Sequence, residues 1–224
     1  MNSLDLSLLH QINVEWSNPA FDWLMPAVSA LEAWLPLIIV IALIALWRGG
    51  RRARVMLLCL GVAIGFGDAV VSHTLKKIVG RVRPRDAVAG VYVRSLGKAK
   101  PEFMRLFKNA ESKPAKPNIS STHGNSFPSS HTVNMFAVAT VMAWFYLRSG
   151  LFMFLIAGLV AYSRIYCGAH WPSDMLPSMG LGILTGLVVL AVARRIPVLR
   201  MGEFGLGGRT RGESPRELPT AQAR

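Results

Sequence analysis

Five stretches of the chain are apolar for long enough to approach the thickness of a bilayer, and the polar residues gather between them. The first runs from about Trp23 to Trp47 and is densest over LPLIIVIALIAL; the second runs from about Val55 to Val79. The third covers about Thr132 to Leu147, the fourth about Leu151 to Cys167 and the fifth about Met175 to Ala193. At 1.5 Å per residue, about 20 helical residues cross a hydrocarbon core of roughly 30 Å. The third and fourth stretches are short by that measure. Trp34 and Trp47 are placed to anchor the first span at the interfaces. Residues 4–16 (LDLSLLHQINVEW) suit an interfacial amphipathic helix. The pattern predicts an all-α integral membrane bundle of about five to six helices, with no internal repeat and one long extracytoplasmic loop.

Composition strengthens this reading. The 224 residues are 52% hydrophobic, which excludes disorder for most of the chain, and two cysteines exclude a disulfide scaffold. Lys+Arg 25 against Asp+Glu 12 gives a formal charge of +13. Soluble nucleic-acid binders can be that basic, but their apolar residues do not fall into runs of about 20, so no nucleic-acid partner is expected. Arg48, Arg51, Arg52 and Arg54 lie between spans one and two, Arg148 between three and four, and Arg194 and Arg195 after span five. Ahead of span one stand Asp5, Glu15 and Asp22 without any Lys or Arg. The positive-inside rule then puts the N-terminus outside and the C-terminus in the cytoplasm, with the basic segment from Arg81 to Lys116 as a counterweight. The expected divisions are an N-terminal extracytoplasmic or interfacial segment (1–22), a transmembrane domain (23–196) containing an outer loop (85–127), and a disordered cytoplasmic tail (197–224). The first 20 residues have no basic region ahead of an apolar core and do not read as a secretory signal. The GEFGLGG stretch of the tail follows no strand and opens no helix, so it is not a dinucleotide loop.

Charge at membrane depth is expensive, so its placement is informative. Span two ends KKIVGRVRPRD, carrying Lys76, Arg81 and Arg83; span three is preceded by GNSFPSSH, ending at His131. Span four ends AYSRIYCGAHWPSD, with Arg164, His170 and Asp174. Snorkelling explains single cations at that depth but not two histidines and an aspartate beside them. Converging cations suit a di- or trianionic group, and the guanidinium fork matches phosphate oxygens. Pro128-Ser129-Ser130 stands at the start of span three, where free N–H groups and the helix dipole favour an anion. One neutral imidazole can attack phosphorus while a second, protonated, serves the leaving oxygen. Asp174, four residues after His170, is placed to fix its tautomer.

The segments KKIVGRVRP, FPSSH and SRIYCGAHWPSD resemble the three signatures of the type 2 phosphatidic acid phosphatase (PAP2) superfamily, K-x6-R-P, P-S-G-H and S-R-x5-H-x3-D. Order and spacing agree throughout, and with the linking spans the resemblance covers roughly residues 55 to 190. The departure is Ser130, where the family usually has glycine; a serine there narrows the pocket or adds a donor. The resemblance implies a nucleophilic His170 oriented by Asp174, and a His131 that protonates the leaving group. It implies phosphate binding by Lys76, Arg83, Arg164, Ser129 and the neighbouring backbone. It also implies a phosphohistidine, no metal and no cofactor, and a site at the outer leaflet of a bacterial inner membrane.

Other residues have more than one reading. Asp68, Ser72 and Lys76 share a face of span two if it is regular helix, so Asp68 either supports Lys76 or is satisfied by neighbouring helices. His73 reads as a packed or interfacial histidine, and His123 as a solvated loop histidine. The histidines lack short zinc spacings and have cations beside them, which argues against a metal. Cys59 and Cys167 are too far apart along their spans to pair. The 85–127 loop, with Lys98, Lys100, Lys108, Lys113 and Lys116, is either a solvated basic loop or a lid that recruits an anionic headgroup. The expected activity is hydrolysis of a lipid phosphate or pyrophosphate at the outer face, with undecaprenyl diphosphate as first choice. Phosphatidic acid, phosphatidylglycerol phosphate and lipid A phosphate remain open, as does oligomeric state. The rivals are a lipid phosphotransferase and a lipid or anion transporter. A transporter predicts midplane charges and repeated halves, neither of which is seen beyond Asp68.

Overall fold

The computed structural model describes residues 3–117 and 124–199. His123, the GEFGLGG stretch and the tail from Arg200 onward lie outside the described residues. The chain opens with α1 (Ser3–His10), a π-helical turn (Gln11–Glu15) and α2 (Pro19–Ser29). α2 starts where Asn18 accepts the N–H of Phe21 at 2.9 Å and Pro19 fills the first turn. α3 (Leu31–Arg48) follows directly, so the apolar run read as one span is two helices that part at Ala30. Hydropathy could not separate them. α2 buries Met25, Pro26, Ala27 and Ser29 against protein, whereas α3 exposes nearly all of its apolar surface and buries only Ala33.

Span two is α4 (Arg51–Phe66), a π-helical segment (Gly67–Ser72) and α5 (His73–Val79), ended by Gly80 in the left-handed region (φ 57°). A short α6 (Pro84–Ala87) follows. The remaining spans are α7 (Ser130–Phe145), α8 (Leu147–Tyr166) and α9 (Pro172–Ala193). Among the described residues, four helical stretches are long and apolar enough to cross a membrane: α3, the span beginning at Arg51, α8 and α9. α7 has 16 residues and falls short, yet it packs against α4, α8 and α9 and is the most enclosed of the five. α9 approaches it closely. A Cβ on Gly182 would overlap Val133 O, and one on Gly186 would lie 2.8 Å from Thr140 Cβ.

Two large apolar clusters, beside two smaller ones, form the core of the described residues. One joins Val55, Cys59 and Ala63 of α4 to Ala137, Val141 and Phe145 of α7 and Val189 and Leu190 of α9. The other joins Leu9, Val91, Phe136, Ala161, Ile165, Trp171 and Met175. The N-terminal segment is therefore docked on the bundle: buried Asn13 donates to the carbonyls of Tyr92 (2.8 Å) and Tyr166 (2.7 Å). The loop after span two contains an antiparallel hairpin, β1 (Tyr92–Leu96) and β2 (Ala110–Pro114), in register Tyr92↔Pro114 to Leu96↔Ala110. Arg94, 5% exposed, pins β1 by pairing with Asp22 at 2.6 Å and donating to Ser17 Oγ at 2.7 Å.

Candidate active site

The end of span two, the start of α7 and the α8–α9 connection meet at one end of the bundle. Trp171, the N-cap of α9, donates its indole N–H to Val82 O at 2.8 Å and so ties α9 to the residues after Gly80. The irregular segment leading into α7 lies along the same residues: Gly124 N–H donates to Gly80 O (3.0 Å) and Ser126 N–H to Arg81 O (2.8 Å). A Cβ on Gly124 would come 2.6 Å from Val82 Cα, so glycine permits this approach.

Six of the eight nominated site residues come together there or directly behind it. Lys76 Nζ donates to Ser130 Oγ at 2.5 Å, so the serine in the usual glycine position adds a hydroxyl next to an ammonium. The charges of Arg164, Lys76 and Arg83 all reach His131. Arg83 Nε and Arg164 Nε are buried and meet no hydrogen-bond partner among the described residues. The first turn of α7 has no side-chain cap, which leaves its N–H groups available to an anion. His170 is 3% exposed. Burial first, then the charges of Arg164 and Arg83, hold its pKa well below the ordinary 6.5, so the imidazole is neutral. Its Nδ1 lies 2.5 Å from Ser126 O. A carbonyl can only accept, so Nδ1 carries the proton and Nε2 keeps its lone pair.

Two nominated residues sit differently from expectation. Ser129 is fully buried; its N–H donates to Ser178 Oγ at 3.0 Å and its hydroxyl accepts from Thr132 at 3.0 Å. It is committed to the α7–α9 seam and does not join the cations. Asp174 stands 4.0 Å from His170 Nδ1, beyond hydrogen-bond length. Its oxygens are taken by Arg81 (2.5 Å), the hydroxyl of Ser126 (2.5 Å) and the N–H of Trp171 (3.1 Å). Position N3 of α9 turns the carboxylate back to cap its own helix, and Ser126 stands between it and the imidazole. Ser126 and Asp5 were missed from sequence. Ser126 lay inside GNSFPSSH without a chemical reason to single it out, and Asp5 gave no local signal at all.

Asp68, Ser72, His73 and Lys76 line one groove of about 640 Å³ with Gly65 and Ala69. The π-helical segment changes the spacing but keeps Asp68 and Lys76 on that face, and His73 is exposed on it rather than packed. Cys59 and Cys167 are buried free thiols; burial pushes Cys167 up to about 11, which leaves it unreactive.

Fold and site together define an integral membrane helical bundle with a cluster of cations and two histidines at one end. The model of the PAP2 superfamily matches residues 54–197, and the chain belongs to that family, whose phosphatases are hydrolases of phosphate esters. It is 26% identical over 190 residues to YbjG of Escherichia coli (strain K12), provisionally named an undecaprenyl-diphosphatase, covering 84% of this chain and 80% of that one. It is 22% identical over 224 residues to a lipid A 4'-phosphatase of Bacteroides thetaiotaomicron, covering 97% and 89%. The crystal structure of Aquifex aeolicus LpxE superposes with a TM-score of 0.58 at 23% identity, over 85% of this chain and 96% of that one. The protein is thus a member of a membrane lipid phosphatase family.

Proposed function

We propose that this protein hydrolyses the phosphate ester or pyrophosphate of a membrane lipid through a phosphohistidine on His170. The observation that carries the reading is the convergence of Lys76, Arg83 and Arg164 around two histidines, with Nε2 of His170 left free by the bond from Nδ1 to Ser126 O. Nε2 of His170 attacks phosphorus while the bond to the lipid oxygen breaks. That oxygen leaves with a proton from His131, which takes one up once the bound phosphate offsets the cations beside it. Water then attacks the phosphohistidine, giving its proton to His131, and orthophosphate departs as His170 is restored. Lys76, Arg83, Arg164 and the first-turn N–H groups of α7 stabilise the charge on the equatorial oxygens in both steps. Ser130, rather than Ser129, supplies the hydroxyl, and Asp174 orients His170 through Ser126. No step needs a metal.

The site lies between helices at one end of the bundle, where a lipid headgroup reaches it from the bilayer. The arginines after α3 and α9 stand at the other end, which the positive-inside rule assigns to the cytoplasm, so the site faces outward from a bacterial inner membrane. Undecaprenyl diphosphate is the first substrate to test, because recycling that carrier requires an outward-facing phosphatase; similarity to the Bacteroides lipid A 4'-phosphatase puts lipid A next.

The test is phosphate release by detergent-purified protein with EDTA present, across a panel of lipid phosphates, paired with His170→Ala. Release from one lipid, lost below detection in a folded variant, is expected. Activity in His170→Ala would remove the nucleophile assignment. A newly phosphorylated lipid in place of free phosphate would make the enzyme a transferase.

A further inference from the structure

Asp5 lies on α1, over 160 residues before α9, yet it is 3% exposed and sits against the start of that helix. One of its oxygens accepts the N–H of Ser173 at 2.9 Å. The other accepts from Ser173 Oγ (2.6 Å) and from Arg81 Nη2 (2.6 Å). Arg81 in turn donates through Nη1 to Asp174 (2.5 Å) and Ser173 Oγ (2.9 Å), with its guanidinium 5.4 Å from the Trp171 ring centre. Burial alone would raise the Asp5 carboxyl, but the bonds from Ser173 and Arg81 outweigh it and hold it below its ordinary 3.8.

We propose that α1 is a working part of the catalytic centre, and that Asp5, acting through Arg81, is a positioning residue for His170. The inference rests on the phosphohistidine reading above. The path is continuous: Asp5 to Arg81, Arg81 to Asp174, Asp174 to the Ser126 hydroxyl, and the Ser126 carbonyl to His170 Nδ1. Arg81 also accepts the Ser126 N–H on its own carbonyl, so it fixes that residue from two directions. A guanidinium held by Asp174 alone would be tethered at one nitrogen and, being about a third exposed, free to turn toward water. Asp5 holds the second nitrogen and ties it to the first turn of α9, which carries Asp174. A buried carboxylate that only docked α1 would gain little over an apolar side chain. This one instead bonds the residue beside Asp174 and the cation upon it.

The experiment measures kcat and KM separately for Asp5→Ala, Asp5→Asn and Arg81→Ala, with thermal unfolding of each protein in detergent. Asp5→Ala is expected to lower kcat by about ten- to a hundredfold, the scale of a misplaced reacting group, with KM within about threefold. Asp5→Asn keeps an acceptor for Ser173 but loses the charge that holds Arg81, and should fall between; it carries the test if Asp5→Ala does not fold. In the Asp5→Ala/Arg81→Ala double variant, kcat should be no lower than with Arg81→Ala alone, because both act through one path. Turnover that is lost in His170→Ala but undiminished in both Asp5 variants sinks the positioning role alone, as would strictly additive losses in the double variant. Turnover that persists in His170→Ala sinks the phosphohistidine reading, and the positioning role with it.

Discussion

The two ends of the bundle both carry arginines, and they treat them in opposite ways. At the end where α3 joins α4, four of the arginines rest on rings or helix-end carbonyls. Arg48 lies over Trp47, Arg194 over Trp144, and Arg52 over Tyr146 while donating to Phe145 O. Arg54 donates to Leu46 O at 3.3 Å. These are anchors, each worth about 0.5–1 kcal/mol where exposed. At the other end Arg83 and Arg164 are half-buried, their Nε atoms enclosed and without a hydrogen-bond partner among the described residues, near Lys76 and two histidines. Like charges held together and out of water raise the energy of the folded chain unless an anion is bound. One residue type therefore serves for attachment at one end and for substrate at the other, and the partners decide which.

The largest effect should come from exchanging the two ends in mutagenesis. Arg164→Ala removes a cation from the cluster and is expected to cost on the order of 10²-fold or more in kcat/KM, the scale of a lost transition-state donor. Arg194→Ala removes a cation that lies over Trp144 at a helix end, and should leave kcat/KM within about twofold. Phosphate release measured side by side decides it. Equal losses would mean that both ends bind lipid phosphate and that their arginines do not differ in role.

Much of this contrast was legible in the sequence. The five apolar runs located α3, the α4–α5 span, α7, α8 and α9, because lipid requires about 20 apolar residues per crossing whatever the tertiary contacts. Lys76, Arg83, His131, Arg164 and His170 stood out because charge at that depth is costly. What the sequence hid was everything decided by distance in space. Trp23 to Trp47 read as one span because apolar residues that face protein and lipid look alike. Ser129 looked like a phosphate ligand from its place in FPSSH, but its N–H is given to Ser178 of α9 and its fully buried hydroxyl accepts from Thr132. Asp174 had the right spacing to touch His170, yet capping its own helix and binding Arg81 turn it toward Ser126. Nor could Asp5 be found, since its partners lie 76 and 168 positions away.

The two ends keep their separate characters because a close seam of α7 and α9 runs between them. A Cβ added at Gly182 would overlap Val133 O and lie 2.7 Å from Phe136 Cβ and 3.2 Å from Ala137 N. An alanine there must push backbone, not a flexible side-chain tip. Gly182→Ala is expected to destabilise the protein by about 1–3 kcal/mol, as overpacking does. Gly180→Ala, with open space around its Cβ, should be close to neutral. Thermal unfolding in detergent tests the pair. A Gly182→Ala protein as stable as wild type would mean that the helices stand further apart.

The smallest effect sharpens the site end alone. His170 is neutral because burial and the charges of Arg164 and Arg83 oppose its protonation, so its folded pKa lies well below 6.5. Between that value and 6.5 the unfolded chain takes up a proton at this position and the folded chain does not. Stability therefore falls as pH drops through this window and is fully present above it. Thermal unfolding should show wild type losing stability from pH 7 to pH 5 more steeply than His170→Gln, which has no proton to gain there. The same depression keeps Nε2 unprotonated, so the His170 limb of the kcat/KM profile should fall below pH 6.5. Identical pH slopes for wild type and His170→Gln would mean that His170 titrates as it does in water, and that the cations near it are already neutralised.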